Sequence, residues 1–358
     1  METRTCGLKI SVEIWAAALL ALLLLPSGPI LAQSSFYQGK TLIILQGRDP
    51  GGTGDVRTRT VVPFLQKHIP GNPNVLMEYM PGGGSRKAAN HLFTSAKADG
   101  LTIGNVSSGM VTAAVLKAKG VLYDLDKFVY LGSPFSSHHS IFVTRNELGL
   151  NSLEKLRAAS GIRIGGQSVG FSTYNEGRLF AYILRLKEPI FVTGYGGAEL
   201  DPALMRGEID ARATSADTVL RRNPDWLRKD LVDFHSIIEV PKGDKHQHFM
   251  KVPEIETLAK SELERNVVLL QRAFRVTGQP FVAPPGMPRE RVAILQEAFR
   301  KTYLDPEFQK EYKKVTRDDP SPLLPENHEK VIREIPRDPE VIEIFNKVAG
   351  GGPLPTRR

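Results

Sequence analysis

The feature that most constrains this chain is a repeated change of hydrophobic period. Short apolar runs alternate with helical patterns, and glycine-rich segments sit at the joints. Thr41 to Leu45 reads as a buried strand, and Asp55 to Lys67 as a helix with Val56, Val61, Phe64 and Leu65 on its inner side. Val75 to Tyr79 is the next strand, Arg86 to Ser95 the next helix, and Leu101 to Gly104 a third strand after the Asp99-Gly100 turn. Strand, helix, strand, helix, strand predicts a doubly wound, mostly parallel α/β sheet. In such sheets ligands sit beyond the carboxyl ends of the strands, where loops enter helices.

The rhythm restarts after Phe135-Ser-Ser-His-His139. Strands are expected over 141–144, 162–165, 190–193 and 209–214, with helices over 152–159, 172–186 and 199–205. From Trp226 to Ser261 the pattern blurs around Pro241, Gly243 and Pro253 and reads as loops and short helices. A strand from Gln279 to Ala283 leads through Pro284-Pro-Gly-Met-Pro288 into a helix, with Pro288 in its first turn. Two more helices, around 306–314 and 327–334, precede a loose tail, 350–358. At roughly 100–200 residues per domain, the 358 residues form two units, each able to bury its own core.

The first thirty-odd residues read differently. Arg4 and Lys9 make a basic region, Ile14 to Leu25 an unbroken apolar run, and Pro26 to Ala32 a helix-breaking stretch ending in a small residue. This is the layout of a cleavable secretory signal peptide, 1–32, too short to span a bilayer comfortably. Cys6, the single cysteine, leaves with it, so neither a disulfide framework nor a thiolate metal site is expected. The mature chain keeps 45 basic and 37 acidic residues. That positive charge is scattered rather than striped, and outside the cytoplasm it argues against nucleic acid as the partner.

The chemistry concentrates in four glycine elbows between strand and helix: Asp49-Pro-Gly-Gly-Thr-Gly-Asp55, Pro81-Gly-Gly-Gly-Ser85, Gly165-Gly-Gln-Ser-Val-Gly170 and Gly194-Tyr-Gly-Gly197. Free N–H groups at helix starts carry partial positive charge and bind anions. None of the four is a nucleotide fingerprint: Gly52-Thr-Gly54 lacks the third glycine, and no elbow ends in Gly-Lys-Ser/Thr. Asp55 is expected to cap the helix that follows, with contact to a ligand amino group as the alternative. Arg57 and Arg59 either add charge to an anion site or are solvated or ion-paired.

A rival reading lies in the third elbow. Gly166-Gln-Ser168-Val-Gly170 fits the G-x-S-x-G of an exported serine esterase, with Pro81 to Gly84 as an oxyanion loop and Asp210, Asp217 and His235 following in chain order. Against it, the helix starts at Ser172, so the sharp turn is not centred on the serine. His138-His139 and His246-x-His248 lack a third ligand at metal spacing, so no metal and no cofactor is expected.

At these elbows the sequence resembles the periplasmic substrate-binding proteins of tripartite tricarboxylate transporters, the Bug receptors. Gly51-Gly52-Thr53-Gly54-Asp55 followed by Arg59 matches their first elbow, and Pro81-Gly-Gly-Gly-Ser85 with Asp99-Gly-Leu-Thr102 matches their second. Tyr195-Gly196-Gly197, Gly207-Glu-Ile-Asp210 and Ala283-Pro-Pro-Gly-Met-Pro288 follow in order. The resemblance implies a two-lobed, Venus-flytrap periplasmic-binding-protein fold of type II, with 36–135 and 283–349 in lobe 1 and 136–282 in lobe 2. It implies a monomeric, non-enzymatic receptor that holds a small carboxylate between the lobes and presents it to a membrane permease. A periplasmic sensing module would share that ligand chemistry. The ligand-binding residues it implies are Gly51 to Asp55, Pro81 to Gly84, Gly170 to Thr173 (Gly170, Phe171, Ser172, Thr173) and Tyr195 to Gly197. Ser107, Thr214 and Ser215, at or just beyond strand ends, complete the set. Where the family has Gly-Ser and then His at the second-lobe helix, this chain has Gly170-Phe171 and Tyr174, and Arg178 stands where an acid is common. That leaves Phe171 available to stack on an aromatic acid.

Overall fold

The computed structural model describes residue 2 and residues 36–356 apart from 138 and 318. The expected signal peptide, with Cys6, and His138 lie outside the described residues. Among the described residues, ten strands form two five-stranded sheets. The first uses β1 (Thr41–Gln46), β2 (Asn74–Tyr79), β3 (Thr102–Asn105), β4 (Val129–Gly132) and β10 (Phe281–Ala283), in the order β2-β1-β3-β10-β4. The second uses β5 (Ser140–Arg145), β6 (Arg163–Gly165), β7 (Ile190–Val192), β8 (Ala211–Ser215) and β9 (Val232–Ile238), in the order β7-β6-β8-β5-β9.

Each sheet has a single reversed strand. β10 runs antiparallel to β3 and β4, and β5 runs antiparallel to β8 and β9, while β1 pairs parallel with β2 and β3, and β6 with β7 and β8. In both cases the reversed strand is the first the chain lays down after passing from one sheet to the other. Two lobes joined by two such passages form the type II arrangement expected above.

Helices cover both sheets. α1 (Thr53–His68), α10 (Arg289–Leu304) and α11 (Pro306–Thr316) lie together, with α10 also against β4. They bury Val61, Leu65, Leu295, Phe299 and Phe308 around Leu42, Ile44, Ile103 and Phe281. Continuous apolar strands such as β1 follow from coverage on both faces. In the second lobe, α5 (Ser172–Leu184) packs Phe180, Ile183 and Leu184 with Phe142 and Ile164. α6 (Leu200–Met205), α7 (Ala216–Arg222) and α8 (Pro224–Arg228) supply Leu204, Val219 and Trp226 to the opposite face.

Several segments differ from expectation, among them β4, a helix over Gly109–Val115 and α7, where no element was expected. β9 occupies part of 226–261, where loops and short helices were expected. Its sequence, Val-Asp-Phe-His-Ser-Ile-Ile, hides its period because His235 and Ser236 are buried polar groups, bonded to Thr144 Oγ1 at 2.7 Å and to the Pro253 carbonyl at 2.9 Å. α9 (Glu262–Val276) and α13 (Pro339–Ala349) were not foreseen. α13, placed with lobe 1 from the sequence, packs on α9 and on α5, with Phe345 edge-on to Phe274 at 5.4 Å. The tail after it is tied down: Tyr174 and Arg178 on α5 donate to the carbonyls of Gly350 (3.2 Å) and Gly352 (2.7 Å).

Candidate functional site

The glycine elbows of one lobe meet those of the other. A Cβ on Gly84 would lie 2.3 Å from the Gly170 carbonyl oxygen, and one on Gly52 would lie 3.7 Å from Gly197 Cα. Side chains bridge the same gap. Thr53 and Thr218 share a hydrogen bond of 2.7 Å, Arg221 Nη2 donates to Thr53 Oγ1 at 2.9 Å, and Arg57 on α1 forms a buried ion pair with Asp217 on α7. The lobes are therefore closed on each other, and a cavity of about 100 Å³ remains between them.

Gly52, Thr53, Gly54, Ser107, Phe171, Ser172, Thr173, Gly197 and Ser215 line this cavity. α1 and α5 both point their N-termini at it, and neither Gly52 nor Phe171 at the cap position supplies a side-chain hydrogen bond. Their first N–H groups lack side-chain partners, which suits an anion.

The other expected residues stand outside the lining. Pro81 and Gly82 are exposed, and Gly83 borders the contact that Gly84 makes with Gly170. Tyr195 reaches Glu208 at 3.3 Å, the Gly196 N–H donates to Glu199 at 2.6 Å, and Thr214 is buried within β8. Asp55 lies inside α1 rather than at its cap. It accepts from the Gly51 N–H (2.9 Å), Tyr79 (2.9 Å), Arg59 (2.9 Å) and Gln46 (3.3 Å). A carboxylate at the third helical position here reaches back past the Gly52 cap to the N–H of Gly51, the residue before it. Asp55 thus fixes the shape of the first elbow from behind, and these bonds keep its carboxyl below the usual range despite burial.

Beyond Arg57, which the sequence offers as a possible charge at an anion site, the motifs do not reveal the cationic wall. Arg48, Arg57, Arg212 and Arg275 line the cavity against only Asp49 and Glu176. Arg57 stacks over Phe135 at 4.0 Å, Arg212 pairs with Asp201, and Arg275 Nη1 lies 3.0 Å from Glu176 Oε1. Gln167, Thr218 and Gln279 add neutral donors and acceptors. Burial, together with the Arg57 charge, pushes both Arg48 and Arg275 down to about 9. A group displaced in that direction gains from a nearby negative charge.

The hydrolase residues do not converge. Ser168 is not in the cavity lining. Asp210 is held by Arg163, Asp217 by Arg57, and His235 by Thr144. His139 and His246 rings lie 5.7 Å apart, and among the described residues no group of three or more His, Cys, Asp or Glu is placed to hold a metal ion.

Two five-stranded sheets with a cleft between them are the fold of two-lobed periplasmic binding proteins. Among solved structures the chain is similar to periplasmic binding protein BugD, at 17% identity over 87% of this chain and 98% of that one, with a TM-score of 0.66. It is equally similar to MatC (Rpa3494) from Rhodopseudomonas palustris with bound malate, at 17% identity over 87% and 99% of the two chains and a TM-score of 0.66. R. palustris Rpa4515 with adipate follows at 16% identity, 86% and 97% coverage and a TM-score of 0.63. The Bug-type proteins that the elbow motifs resemble are thus among those whose fold this chain shares. No protein-family model and no curated protein sequence matches it.

Proposed function

We propose that this protein is an extracytoplasmic receptor that captures a small carboxylate between its lobes and presents the closed form to a permease of the tripartite tricarboxylate type. The observation that carries the reading is the cleft itself: uncapped helix N-termini from both lobes and four arginines line one cavity between the lobes. The malate of MatC and the adipate of Rpa4515 are small carboxylates in proteins of the same fold. The apolar N-terminal run and the periplasmic neighbours support export. Ser172, Thr173 and Ser107 orient the ligand, and Phe171 covers it. Catalysis plays no part in this account.

A thermal-shift screen over mono-, di-, tri- and aromatic carboxylates tests it. A ligand at ~100 times its Kd adds about 2.7 kcal/mol, and a chain of this size gains roughly 2 °C per kcal/mol. At least one carboxylate should therefore raise Tm by about 5 °C. Silence across the panel, with fluorophosphonate labelling lost in Ser168→Ala, would favour the hydrolase instead.

A further inference from the structure

α11 and its C-terminal cap carry Lys310, Lys313, Lys314 and Arg317, at the i, i+3, i+4, i+7 spacing that sets four side chains along one helical face. The other face of α11 buries Phe308, Tyr312 and Thr316 in lobe 1. All four cations are exposed. Lys313 and Lys314 reach Asp319 at 2.6 Å and Glu311 at 3.0 Å, in exposed pairs of the kind that contribute little. Among the described residues Lys310 and Arg317 form no ion pair. Positive charge that is scattered along the sequence as a whole gathers here. The helix macrodipole favours cations in a last turn, but it does not account for what these cations face.

They face the other lobe. Leu220 on α7 and His248 in the following loop line a groove of about 500 Å³ together with the four cations. α7 and α11 touch. The same α7 carries Asp217, Thr218 and Arg221, which reach Arg57 and Thr53 of lobe 1. The groove is therefore one surface only while those contacts hold and the lobes are closed. Exposed Lys245 and Lys251 lie in the His248 loop, beside a Met250 that is 64% exposed. Asp244 of that loop accepts from Ser137 at 3.2 Å.

We propose that this groove is a docking surface for an acidic segment of a partner polypeptide, and that it reports whether the lobes are closed. The proposal rests on the receptor reading and locates the surface through which the closed form is told from the open one. A bilayer carrying anionic lipid would attract the α11 stripe and the lysines of the 245–251 loop in the open form as well, because that attraction depends on charge and distance rather than fit. A groove walled by two lobes suits a protruding chain instead. Its carboxylates would pair with Lys310 and Arg317, and an apolar side chain would lie against Leu220. Parting the lobes removes one wall and leaves the cations on the other.

Fluorescence anisotropy on the intact protein tests this, with a labelled Glu-Glu-Leu repeat peptide as the probe. Saturation with the most stabilising carboxylate should tighten the peptide by about fivefold or more, and the peptide should tighten that carboxylate by the same factor. Lys310→Glu together with Arg317→Glu should weaken the peptide by at least about tenfold, while the carboxylate still raises Tm. Lys97→Glu together with Lys119→Glu makes the same change in net charge at exposed positions of lobe 1 outside the groove, and should alter peptide affinity little.

Peptide affinity that is the same with and without carboxylate, or that falls equally in the two double variants, would overturn the proposal. So would binding to phosphatidylglycerol vesicles that is lost in Lys310→Glu with Arg317→Glu while the peptide is unaffected, since the stripe would then be a membrane contact. In each of these results the carboxylate still raises Tm, and the receptor reading stands. Absence of any response to carboxylates would overturn both.

Discussion

Gly84 and Gly170 touch backbone to backbone across the cleft, close enough that a Cβ on Gly84 would sit 2.3 Å from the Gly170 carbonyl oxygen. Gly84 also has φ +64°, a left-handed conformation. Gly84→Ala should therefore lower stability by about 1–2 kcal/mol through backbone strain and also oppose closure. We expect ligand affinity to fall at least tenfold by calorimetry. Gly82→Ala separates the two effects: its φ of +130° is even less suited to alanine, but its nearest neighbour is Lys87 at 3.8 Å in the same lobe. It should destabilise the protein and leave affinity unchanged.

The Arg57–Asp217 ion pair joins the lobes and is buried at both ends. Removing one partner of a buried pair leaves the other uncompensated, at a cost of about 3–5 kcal/mol. If that pair exists only in the closed form, Asp217→Asn should weaken binding by more than tenfold and leave the ligand-free Tm nearly unchanged. Adding Arg57→Gln should restore part of the affinity. A double-mutant cycle on Kd measures the coupling.

Arg178 anchors the C-terminal segment to the second lobe. It is 1% exposed, donates to the Val348 and Gly352 carbonyls and stacks over Phe191 at 4.3 Å. Arg178→Ala removes two charge-assisted bonds and a buried stack, for which about 3 kcal/mol is the expected loss in urea unfolding. A change below about 1 kcal/mol would show that the tail does not depend on this residue.

His235 predicts the acid limb of stability. Burial lowers its folded pKa from 6.5 to about 4. Between those values the unfolded chain binds the extra proton, so stability is fully present above about pH 6.5 and is lost as pH falls toward 4. His328, pushed down to about 3 by burial, acts in the same sense. His235→Gln should reduce the loss of unfolding free energy between pH 7 and pH 4 by about 3 kcal/mol.

The elbows were legible because glycines at strand-to-helix joints mark close backbone approach, and the mature cores were legible from hydrophobic period. Their pairing across the cleft was not, since Gly84 meets Gly170 only once two lobes close. Arg57 was legible as a possible charge at an anion site, whereas Arg212 and Arg275 were hidden for a different reason. Arg212 lies in a strand and Arg275 on an amphipathic helix, where a cation at a buried position looks the same in sequence as one facing water. Asp55 was legible as a helix-start residue, but the depth at which it sits in α1 depends on Gly52 taking the cap. β9 and α13 escaped because one carries buried polar side chains and the other acquires its partners, Phe274 and α5, from distant parts of the chain.

Closure around a bound carboxylate is the central claim, and small-angle X-ray scattering of the protein with and without the most stabilising carboxylate tests it most directly. We predict a smaller radius of gyration at saturation, a scattering curve matching the closed lobes described here, and reversal on dialysis. An unchanged curve at a concentration that saturates binding would contradict the account.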